Sequence, residues 1–455
     1  MCPSCYEKQL KIDHLEEEVS YLKQKLRYEE RKTKDGYFGS STPSAERPFK
    51  ENTVKAAKKN RGAKKGHMGH GRRSIGESEA DIVEFLEPPD KCPDCNTELE
   101  VKGVVERTVI DIIPAKVKKM VYKCIKKWCP CCRKTIIRKP VILPKSLYGN
   151  QLIAHAAVLY YGHGVPLNRV EEILGNVVKT GSLYDMFHRV ARLWQPALPR
   201  IIEEYRQAPA KHADETGWRN NGHSGFAWIF CAEYISIFQF KDSRSASIPR
   251  FIMGAKRLPG TLVVDRYSAY NKLPCKLQYC YAHLLRKVED TGKKFIDNPE
   301  VQTFVNVFAA LLSKAMHLRT LSISDKIYYK RAGLLKKRIL KAVNSGASHW
   351  GIKEIQRIFK ENKSRLYHWV TDRRIPAENN KAERELRPTV IARKVSFGSQ
   401  SERGASTRSI LMTVLHTAQK RLTGQSLEDW FRQALDKISL DHNIDPYLLL
   451  PPHPP

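Results

Sequence analysis

Near residue 208 the sequence changes from helical periodicity to short segments rich in β-branched and aromatic residues. Three of these segments, 211–218, 226–233 and 234–240, follow one another closely, and the turn-forming letters NNGHSG come after the first. They predict an antiparallel meander of three strands. After a helical stretch, the apolar run 261–264 lies between Pro-Gly and Asp265. This run predicts a buried central strand with an acid at its tip.

The order of these elements limits the fold to few alternatives. Three strands, a helix, a strand and then 277–283, which is typical of a strand that runs into a helix, form the order of a ribonuclease-H-like sheet. In such a sheet an Asp of the first strand lies beside an Asp at the end of the fourth. Asp214 and Asp265, 51 positions apart, occupy those two places. Glu215 is expected to face the opposite side of the sheet, because side chains alternate along a strand.

A third carboxylate stands in the segment PAENNKAERELRP, residues 376–388. Two hard cations about 3.5–4 Å apart can cut a phosphodiester, and carboxylate oxygens are needed to hold them. Glu383 is our candidate to join the two aspartates in such a set. The two prolines predict a short helix with Asn380 as its N-cap and Glu383 three positions later. The alternatives are structural: strand-end turn residues for the aspartates, and for Glu383 half of a capping box or an ion pair with Arg387.

Paired cysteines mark a candidate zinc site. Cys92 and Cys95 are followed 34 positions later by Cys129 and Cys132, with strand-like sequence between the pairs. Two Cys-x-x-Cys knuckles at strand ends can place four thiolates around Zn²⁺, and such a closed site is structural rather than catalytic. The alternatives are free core cysteines, or a ligand set that includes one of the spare cysteines of CIKKWCPCC, Cys124 or Cys131.

The N-terminal segment has the spacing of a short coiled coil. Apolar residues recur at intervals of three and four with Glu and Lys between them, which predicts a dimerisation stripe or a helix packed on its own domain. These residues are Ile12, Leu15, Val19, Leu22 and Leu26. The linker that follows is basic and ends in RGAKKGHMGHGRR, which suits either wrapping around phosphates or a disordered tether.

The regions on either side of the strands have helical periodicity. Residues 165–194 predict a helix, a turn that contains Gly, and a second helix, either a DNA-reading helix-turn-helix or an ordinary helical hairpin. Residues 326–343 are basic and helical, and they predict a surface that faces DNA or a solvated helix face. The last residues, LLLPPHPP, are expected to fray.

The charge of the chain favours a polyanionic partner. Its 455 residues carry 79 Lys and Arg against 48 Asp and Glu, a formal net charge of +31. Nucleic acid is the commonest partner of so basic a chain. No apolar run long enough to cross a bilayer is found, and the start has no signal-peptide core. Eleven cysteines, an odd number, indicate metal binding in a reducing cytosol rather than a disulfide framework.

Seven motifs together carry a specific resemblance. In order along the chain they are GHMGHGR (66–72), CPDC (92–95), YGNQLIAHAAVLYYGHGVPLNRVEEIL (148–174), HADETGW (212–218), VVDRYSAY (263–270), CYAHLLRK (280–287) and ENNKAERELRP (378–388). The chain resembles transposases of the insertion-sequence-66 family, a group of Asp-Asp-Glu transposases. Its departures from the pattern, such as Glu378 and Tyr281, leave the three acids intact.

The resemblance implies a DNA transposase whose acidic triad maps onto Asp214, Asp265 and Glu383, with two Mg²⁺ or Mn²⁺ ions per active site. It also implies a structural zinc domain after a leucine-zipper-like segment. The expected partners are double-stranded DNA at the ends of the element, target DNA, and further copies of the chain in a dimer or larger complex. Accessory proteins of the element are left open. The expected location is a bacterial-type cytoplasm, on the nucleoid and away from membranes.

We therefore predict a multidomain α+β protein with a ribonuclease-H-like core. The expected regions are a coiled-coil helix (1–35), a basic linker (36–75), a zinc-ribbon-like domain (76–145), a helical domain (146–207), the first part of the core (208–292), a helical insertion (293–376), the second part of the core (377–400) and a helical end (401–455). Two other functions remain open: a non-catalytic DNA-binding regulator, and a nuclease that cuts without joining. The candidate DNA contacts are His283, Arg286, Arg384 and Arg387.

Overall fold

The computed structural model describes residues 117–131 and 133–454, together with six helical positions near the start of the chain. These six are Leu15, Glu18, Val19, Leu22, Lys23 and Leu26. The predicted linker 36–75 and the predicted zinc ligands Cys92, Cys95 and Cys132 lie outside the described residues. No helix in the described part of the chain is both long and apolar enough to pass through a bilayer.

Five strands form one mixed sheet in the order β5-β4-β3-β6-β7. The strands are β3 (Ala210–Asn220), β4 (His223–Cys231), β5 (Ser236–Lys241), β6 (Thr261–Val264) and β7 (Lys276–Tyr279). The first three are antiparallel, whereas β6 runs parallel to β3 and β7 parallel to β6. This architecture confirms the predicted α+β class, meander and central strand. A separate hairpin upstream consists of β1 (Lys126–Cys129) and β2 (Lys134–Ile137).

The turn between β3 and β4 is tighter than the sequence predicts. Only Asn221 and Gly222 connect the strands, with φ of 49° and 80°, as a two-residue hairpin turn requires. Strand β4 therefore begins at His223, inside the segment predicted as turn. Consecutive residues of β4, Trp228 to Phe230, are fully buried. Because alternate residues face opposite sides of a sheet, both faces of the sheet are covered at this point.

The helices fall into three groups according to their position in the sequence relative to the strands of the sheet. Before it lie α1 (Asn150–Ala157), which continues into a π-helical turn (Val158–Gly162), α2 (Leu167–Ile173), α3 (Thr180–Trp194) and α4 (Leu198–Gln207). Within and after it lie α5 (Ser247–Met253), α6 (Tyr281–Lys294), α7 (Pro299–Leu318), α8 (Asp325–Asn344), α9 (Trp350–Glu361) and α10 (His368–Thr371). The last group is α11 (Asn380–Ser396), α12 (Glu402–Arg421) and α13 (Leu427–Leu440).

The pair α2 and α3 has the predicted helix-turn-helix shape, with Gly175 and Asn176 at positive φ in the turn. One face of α3 is buried, including Phe187 and Trp194. Arg189, on the same helix, donates hydrogen bonds to the carbonyl oxygens of residues 144 and 145. These contacts pack one face of α3 against its own chain, which both a DNA-reading helix-turn-helix and an ordinary helical hairpin require.

Hydroxyl groups of helix α12 accept hydrogen bonds along the edge strand of the sheet. Three N–H groups of edge strand β5 donate to three hydroxyl oxygens that stand four residues apart on α12. The pairs are Ser236 with Thr417 (3.1 Å), Phe238 with Thr413 (3.0 Å) and Phe240 with Ser409 (3.1 Å). Four helical residues rise about 6.0 Å and two strand residues about 6.7 Å, so the two repeats stay in step. The edge therefore offers these donors to no other strand.

The sequence predicts that helix α11 ends at the second proline of its segment, but the structure shows that it does not. It continues through Pro388 to Ser396. A proline removes one backbone hydrogen bond and strains the preceding turn. Here the loss is offset by burial of Leu386, Thr389 and Ala392 along the helix, so tertiary packing overrides the local signal.

The C-terminal residues are docked rather than frayed, contrary to the sequence expectation. Asp445 caps a 3₁₀ turn (Pro446–Leu449) by accepting from the N–H of Tyr447. The Trp430 indole donates to the carbonyl oxygen of Leu449 at 2.9 Å. The guanidinium of Arg200 lies 4.0 Å from the centre of the Tyr447 ring. These contacts join residues far apart in sequence, so the local composition gave no sign of them.

Candidate active site

The parallel pairing of β3 and β6 brings the two aspartates together. Ala210 pairs with Thr261, and the register continues to His212 with Val263. Asp214 and Asp265 each lie two residues beyond the last of these pairs, so both stand at the same end of the two strands. Because paired positions of neighbouring strands face the same side of a sheet, this register supports the predicted juxtaposition.

The two aspartates lie in an environment that disfavours their charge. Burial raises the pKa of Asp214 well above its usual range, and the neighbouring carboxylates of Glu215, Asp265 and Glu383 raise it further. Burial and Glu215 raise the pKa of Asp265 to about 7, while the Tyr267 N–H and Arg244 act in the opposite direction. The charges of Asp265 and Glu383, from two other segments of the chain, thus reach the Asp214 carboxyl.

Glu383 lies in the first turn of α11 and faces α6. Its Oε1 accepts from Nη2 of Arg286 at 3.2 Å and lies 4.0 Å from Nε2 of His283. The N-cap of α11 is Asn379, one residue before the predicted Asn380, and its side chain makes no capping hydrogen bond. In the described contacts, Glu383 forms neither the capping box nor the pair with Arg387 that the sequence left open.

Asn379 ties the helix of Glu383 to the strand of Asp214. The residue is fully buried. Its Nδ2 donates to the carbonyl oxygen of Ala213 at 2.8 Å, and its Oδ1 lies 2.9 Å from Nδ1 of His212. Burial lowers the pKa of His212 to about 3, so this imidazole is neutral and donates its Nδ1 proton to the Asn379 oxygen. The amide thereby fixes where α11 begins relative to the aspartate.

Replacing Asn379 with Ala is expected to lower the free energy of unfolding by about 2 to 4 kcal/mol, because the Ala213 carbonyl and the His212 N–H lose their partners in a buried place. Urea unfolding followed by tryptophan fluorescence measures the change. The matched control is Asn380→Ala, one residue along and part-buried. Equal stabilities of the two variants would contradict this role of Asn379.

Glu215 has two partners that its sequence motif does not predict. Its side chain is buried and accepts from Nε of Arg244 at 2.8 Å and from the hydroxyl of Tyr270 at 2.6 Å. The Arg244 guanidinium also lies 3.9 Å from the centre of the Tyr267 ring. Glu215 is therefore held as a structural acid beside the aspartates. The adjacent Asp-Glu pair in HADETGW was the only local sign of it.

The four candidate DNA contacts lie on two helices beside the acids. His283 and Arg286 are one turn apart on α6, and both approach Glu383. Arg384 and Arg387 are exposed on α11. The structure thus brings all four near the third acid, with the α6 pair facing its carboxylate and the α11 pair facing solvent.

The donor chemistry of the three acids fits divalent cations. Asp214 is a carboxylate among carboxylates, and a bound dication would relieve this repulsion. Over the described residues, no three His, Cys, Asp or Glu side chains are already arranged around one point as a metal cage. The acids thus do not form a preformed metal cage, and the carboxylate of Glu383 accepts a hydrogen bond from Arg286.

The first cysteine of the downstream pair, Cys129, lies at the end of strand β1. It pairs with Lys134 at the start of β2. Arg133 has a φ of 49° in the turn. Cys124 and Cys131 are exposed free cysteines. Cys132, the second cysteine of the downstream pair, lies outside the described residues, so the zinc-ribbon site stays a prediction.

Two family models match the chain, and both describe transposases. The first, the IS66 transposase family, matches residues 145–407, which is more than half of the chain and includes all three acids. The second, the zinc-finger binding domain of the IS66 transposase, matches residues 89–133, which include both cysteine pairs. These matches, together with an α+β fold that has two aspartates at one end of a mixed sheet, define the protein as a transposase.

The chain belongs to the IS66 transposase family, as its motifs indicated. Two relatives come from Sinorhizobium fredii, and both are described as uncharacterized. Protein y4qI is 24% identical over 403 residues, which cover 79% of this chain and 72% of the relative. Protein y4hP is 22% identical over 418 residues, which cover 80% and 74%.

Proposed function

We propose that this transposase cuts and joins DNA with divalent cations held by Asp214, Asp265 and Glu383 on a ribonuclease-H-like core. The observation that carries the proposal is that the charges of Asp265 and Glu383 raise the pKa of Asp214. The three acids lie on β3, after β6 and on α11. Like charges gathered in a partly buried place cost folding free energy, and a bound cation offsets that cost. The strand order of the sheet, with Asp214 on β3 and Asp265 directly after its parallel neighbour β6, supports the same proposal.

The proposed reaction has two in-line displacements. In the first, water attacks a phosphodiester at the end of the element and the departing 3′-oxygen gains a proton. In the second, this 3′-hydroxyl attacks a target phosphodiester, and the target's own 3′-oxygen leaves, so no covalent enzyme intermediate is needed. Divalent cations would act as Lewis acids on the attacking and leaving oxygens. Within the chain, Asn379 keeps Glu383 in register with Asp214, and Arg286 holds the Glu383 carboxylate.

Supercoiled plasmid that carries the element's ends tests the proposal. The wild-type protein with Mg²⁺ or Mn²⁺ is expected to nick the plasmid, and to join pre-cut ends to target DNA. Cutting without joined products would favour a nuclease. Binding with neither reaction would favour a DNA-binding regulator. Nicking that persists in EDTA would contradict the role of the metal.

We further propose a structural Zn²⁺ held by Cys92, Cys95, Cys129 and Cys132, which the match to an IS66 zinc-finger domain over 89–133 supports. The purified protein is expected to contain one zinc per chain by elemental analysis. Cys92→Ser should lose this zinc, because a closed four-thiolate site does not survive the loss of a ligand. Cys131→Ser is the control that should retain it. Metal-free purified wild-type protein would overturn the assignment.

The N-terminal helix is proposed to pair with a second copy of the chain. Leu15, Val19, Leu22 and Leu26 are helical and 46–61% exposed, so within one chain their stripe is only half covered. Pairing in a coiled coil would bury it. Light scattering is expected to give the mass of a dimer or larger complex for the wild type and a smaller mass for Leu22→Glu. A wild-type protein that is monomeric at micromolar concentration would contradict this proposal.

The proposed substrates are double-stranded DNA at the element's ends and target DNA, and such an enzyme works on the nucleoid of a bacterial cell. The net charge of +31 supports a polyanionic partner. We propose that Arg384 and Arg387 contact phosphates near the cut bond, because both side chains are exposed on the helix that carries Glu383.

A further inference from the structure

Helix α8, in the region between the second and third acids, has two sharply different faces. Its core face repeats at intervals of three and four and consists of Tyr328, Ala332, Leu335, Ile339 and Val343. Its solvent face carries six exposed cations: Lys326, Lys330, Arg331, Lys337, Arg338 and Lys341. The acid of this helix, Asp325, is its first residue and pairs with Arg373 at 2.9 Å.

The exposed cations are arranged so that they repel one another. Lys326 and Lys330 are four residues apart, as are Lys337 and Lys341, and such like-charge pairs each destabilise a helix by about 0.2–0.5 kcal/mol. Solvated helix faces commonly offset this repulsion with acids at the same spacing. Among the residues that the structure describes, none of the six cations forms an ion pair. The fold therefore bears a charge cost that an external polyanion would relieve.

The dimensions of this face fit the backbone of duplex DNA. The four lysines lie within about 60° of one another around the helix axis, at 100° per residue. From Lys326 to Lys341 the helix rises about 22 Å, the length of about six base pairs. A straight row of cations on a rigid helix matches regularly spaced phosphates. The exposed neighbours of this row, Ile327 and Leu334, are apolar and add no negative charge.

A short series of contacts connects the start of α8 to the acids. Arg373, which pairs with Asp325, also accepts at its carbonyl oxygen from Nε of Arg319, at 3.2 Å. Arg319 and Arg384 both lower the pKa of Glu378, which burial raises, so both lie near that carboxyl. Arg384 directly follows the third acid in sequence. These contacts link the start of α8 to the segment that precedes Glu383.

We propose that the six exposed cations of α8 bind the phosphate backbone of duplex DNA that flanks the bond to be cut. This inference rests on the proposed function, since it takes the same DNA as substrate. The contact positions the duplex without reading its sequence, because lysine and arginine on phosphates carry no base information. A duplex that extends past the cut bond would bind more tightly than one that ends there.

The test replaces four lysines with Gln, at 326, 330, 337 and 341, and measures binding of a mixed-sequence duplex of about 40 base pairs by fluorescence anisotropy over a range of KCl concentrations. Asp265→Asn is included in every protein, so that no chemistry occurs. The slope of log K against log salt is expected to become shallower by about 3 to 4, with affinity at least about tenfold lower near physiological salt. The melting temperature should stay the same or rise, since repulsion is removed.

The matched control replaces four exposed lysines outside α8, two in loops and two on other helices: Lys256, Lys272, Lys353 and Lys437. It removes the same charge but no continuous row, and its slope should stay close to the parent's. Equal slopes for the α8 variant and the parent, or equal losses in the variant and the control, would overturn the inference. The proposed function is judged separately by wild-type nicking, so an inactive wild type and an unchanged salt slope are distinguishable failures.

Discussion

Asp265→Asn is expected to lower the rate of plasmid nicking by a factor on the order of 10³ or more, since the amide keeps the size of the side chain but loses the charge that holds a cation. Asp214→Asn and Glu383→Gln should do the same. Because the three acids are proposed to act as one unit, a double variant should be little worse than a single one. Gel assays of nicked and linear products measure the rate.

The control for this experiment is Asp290→Asn, which changes an exposed acid on α6, away from the sheet. Its nicking rate should match that of the wild type. Activity within tenfold of wild type in any of the three triad variants would remove that residue from the proposed metal site. The test matters most for Glu383, which the sequence alone places at a helix start as readily as in a catalytic set.

Asp265→Asn is also expected to stabilise the metal-free protein. The pKa of Asp265 in the folded protein is about 7, above the value of about 3.9 in an unfolded chain. Between these values the folded state binds more protons, so the free energy of unfolding falls as pH rises from about 4 to about 7. Asp265→Asn has no ionisable group at this position, so its free energy of unfolding does not fall in this way.

Above pH 7 without metal, Asp265→Asn should therefore melt at a higher temperature than the wild type. Added Mg²⁺ should raise the melting temperature of the wild type alone, because the variant has lost a ligand. Thermal scans in EDTA and in Mg²⁺ at several pH values measure both effects. A wild type that is as stable as the variant in EDTA at high pH would contradict the raised pKa that burial and Glu215 give Asp265. A wild type that does not respond to Mg²⁺ would contradict the metal site.

The second large effect is expected at the hydroxyl-sealed edge of the sheet. Thr413→Val keeps the shape of the side chain but leaves the buried Phe238 N–H without its acceptor, which costs about 1 to 3 kcal/mol of unfolding free energy. Adding Ser409→Ala and Thr417→Val should lower it further, though by less than three independent losses, because the sites are neighbours. An opened edge strand also favours aggregation, which light scattering on heating would detect.

Ser406→Ala is the matched control, because Ser406 lies on the same helix and is exposed. It should change the stability by less than about 0.5 kcal/mol. If Thr413→Val unfolds at the same denaturant concentration as Ser406→Ala, the hydroxyl groups do not contribute the acceptors that the geometry assigns to them.

Parts of the fold and site could be predicted because local patterns carried them. The run at 261–264 is short, apolar and followed by an acid, and it forms β6 with Asp265 at its end. The segment 277–283 predicts a strand that runs into a helix, as β7 and α6 do. Boundaries were less certain: α11 runs past Pro388, and its N-cap is Asn379 instead of Asn380.

The contacts that position Glu383 could not be predicted, because they join residues distant in sequence. Asn379 and His212 are 167 positions apart, and Arg286 and Glu383 are 97 apart. No local periodicity specifies such pairs. The same is true of the C-terminal residues, which local composition predicts to fray and which the Trp430–Leu449 contact holds in place.

The sequence by itself determined the α+β class, the strand that carries Asp214, the acid at the tip of β6 and the family of the chain, because periodicity and motif order are local properties. Only the tertiary structure decided that the charges of Asp265 and Glu383 reach Asp214, that Asn379 ties the helix of Glu383 to β3 and that hydroxyl groups of α12 accept from the edge strand. Those features depend on which backbone groups are buried together, and burial of a polar group is stable only where a distant residue supplies its hydrogen-bond partner.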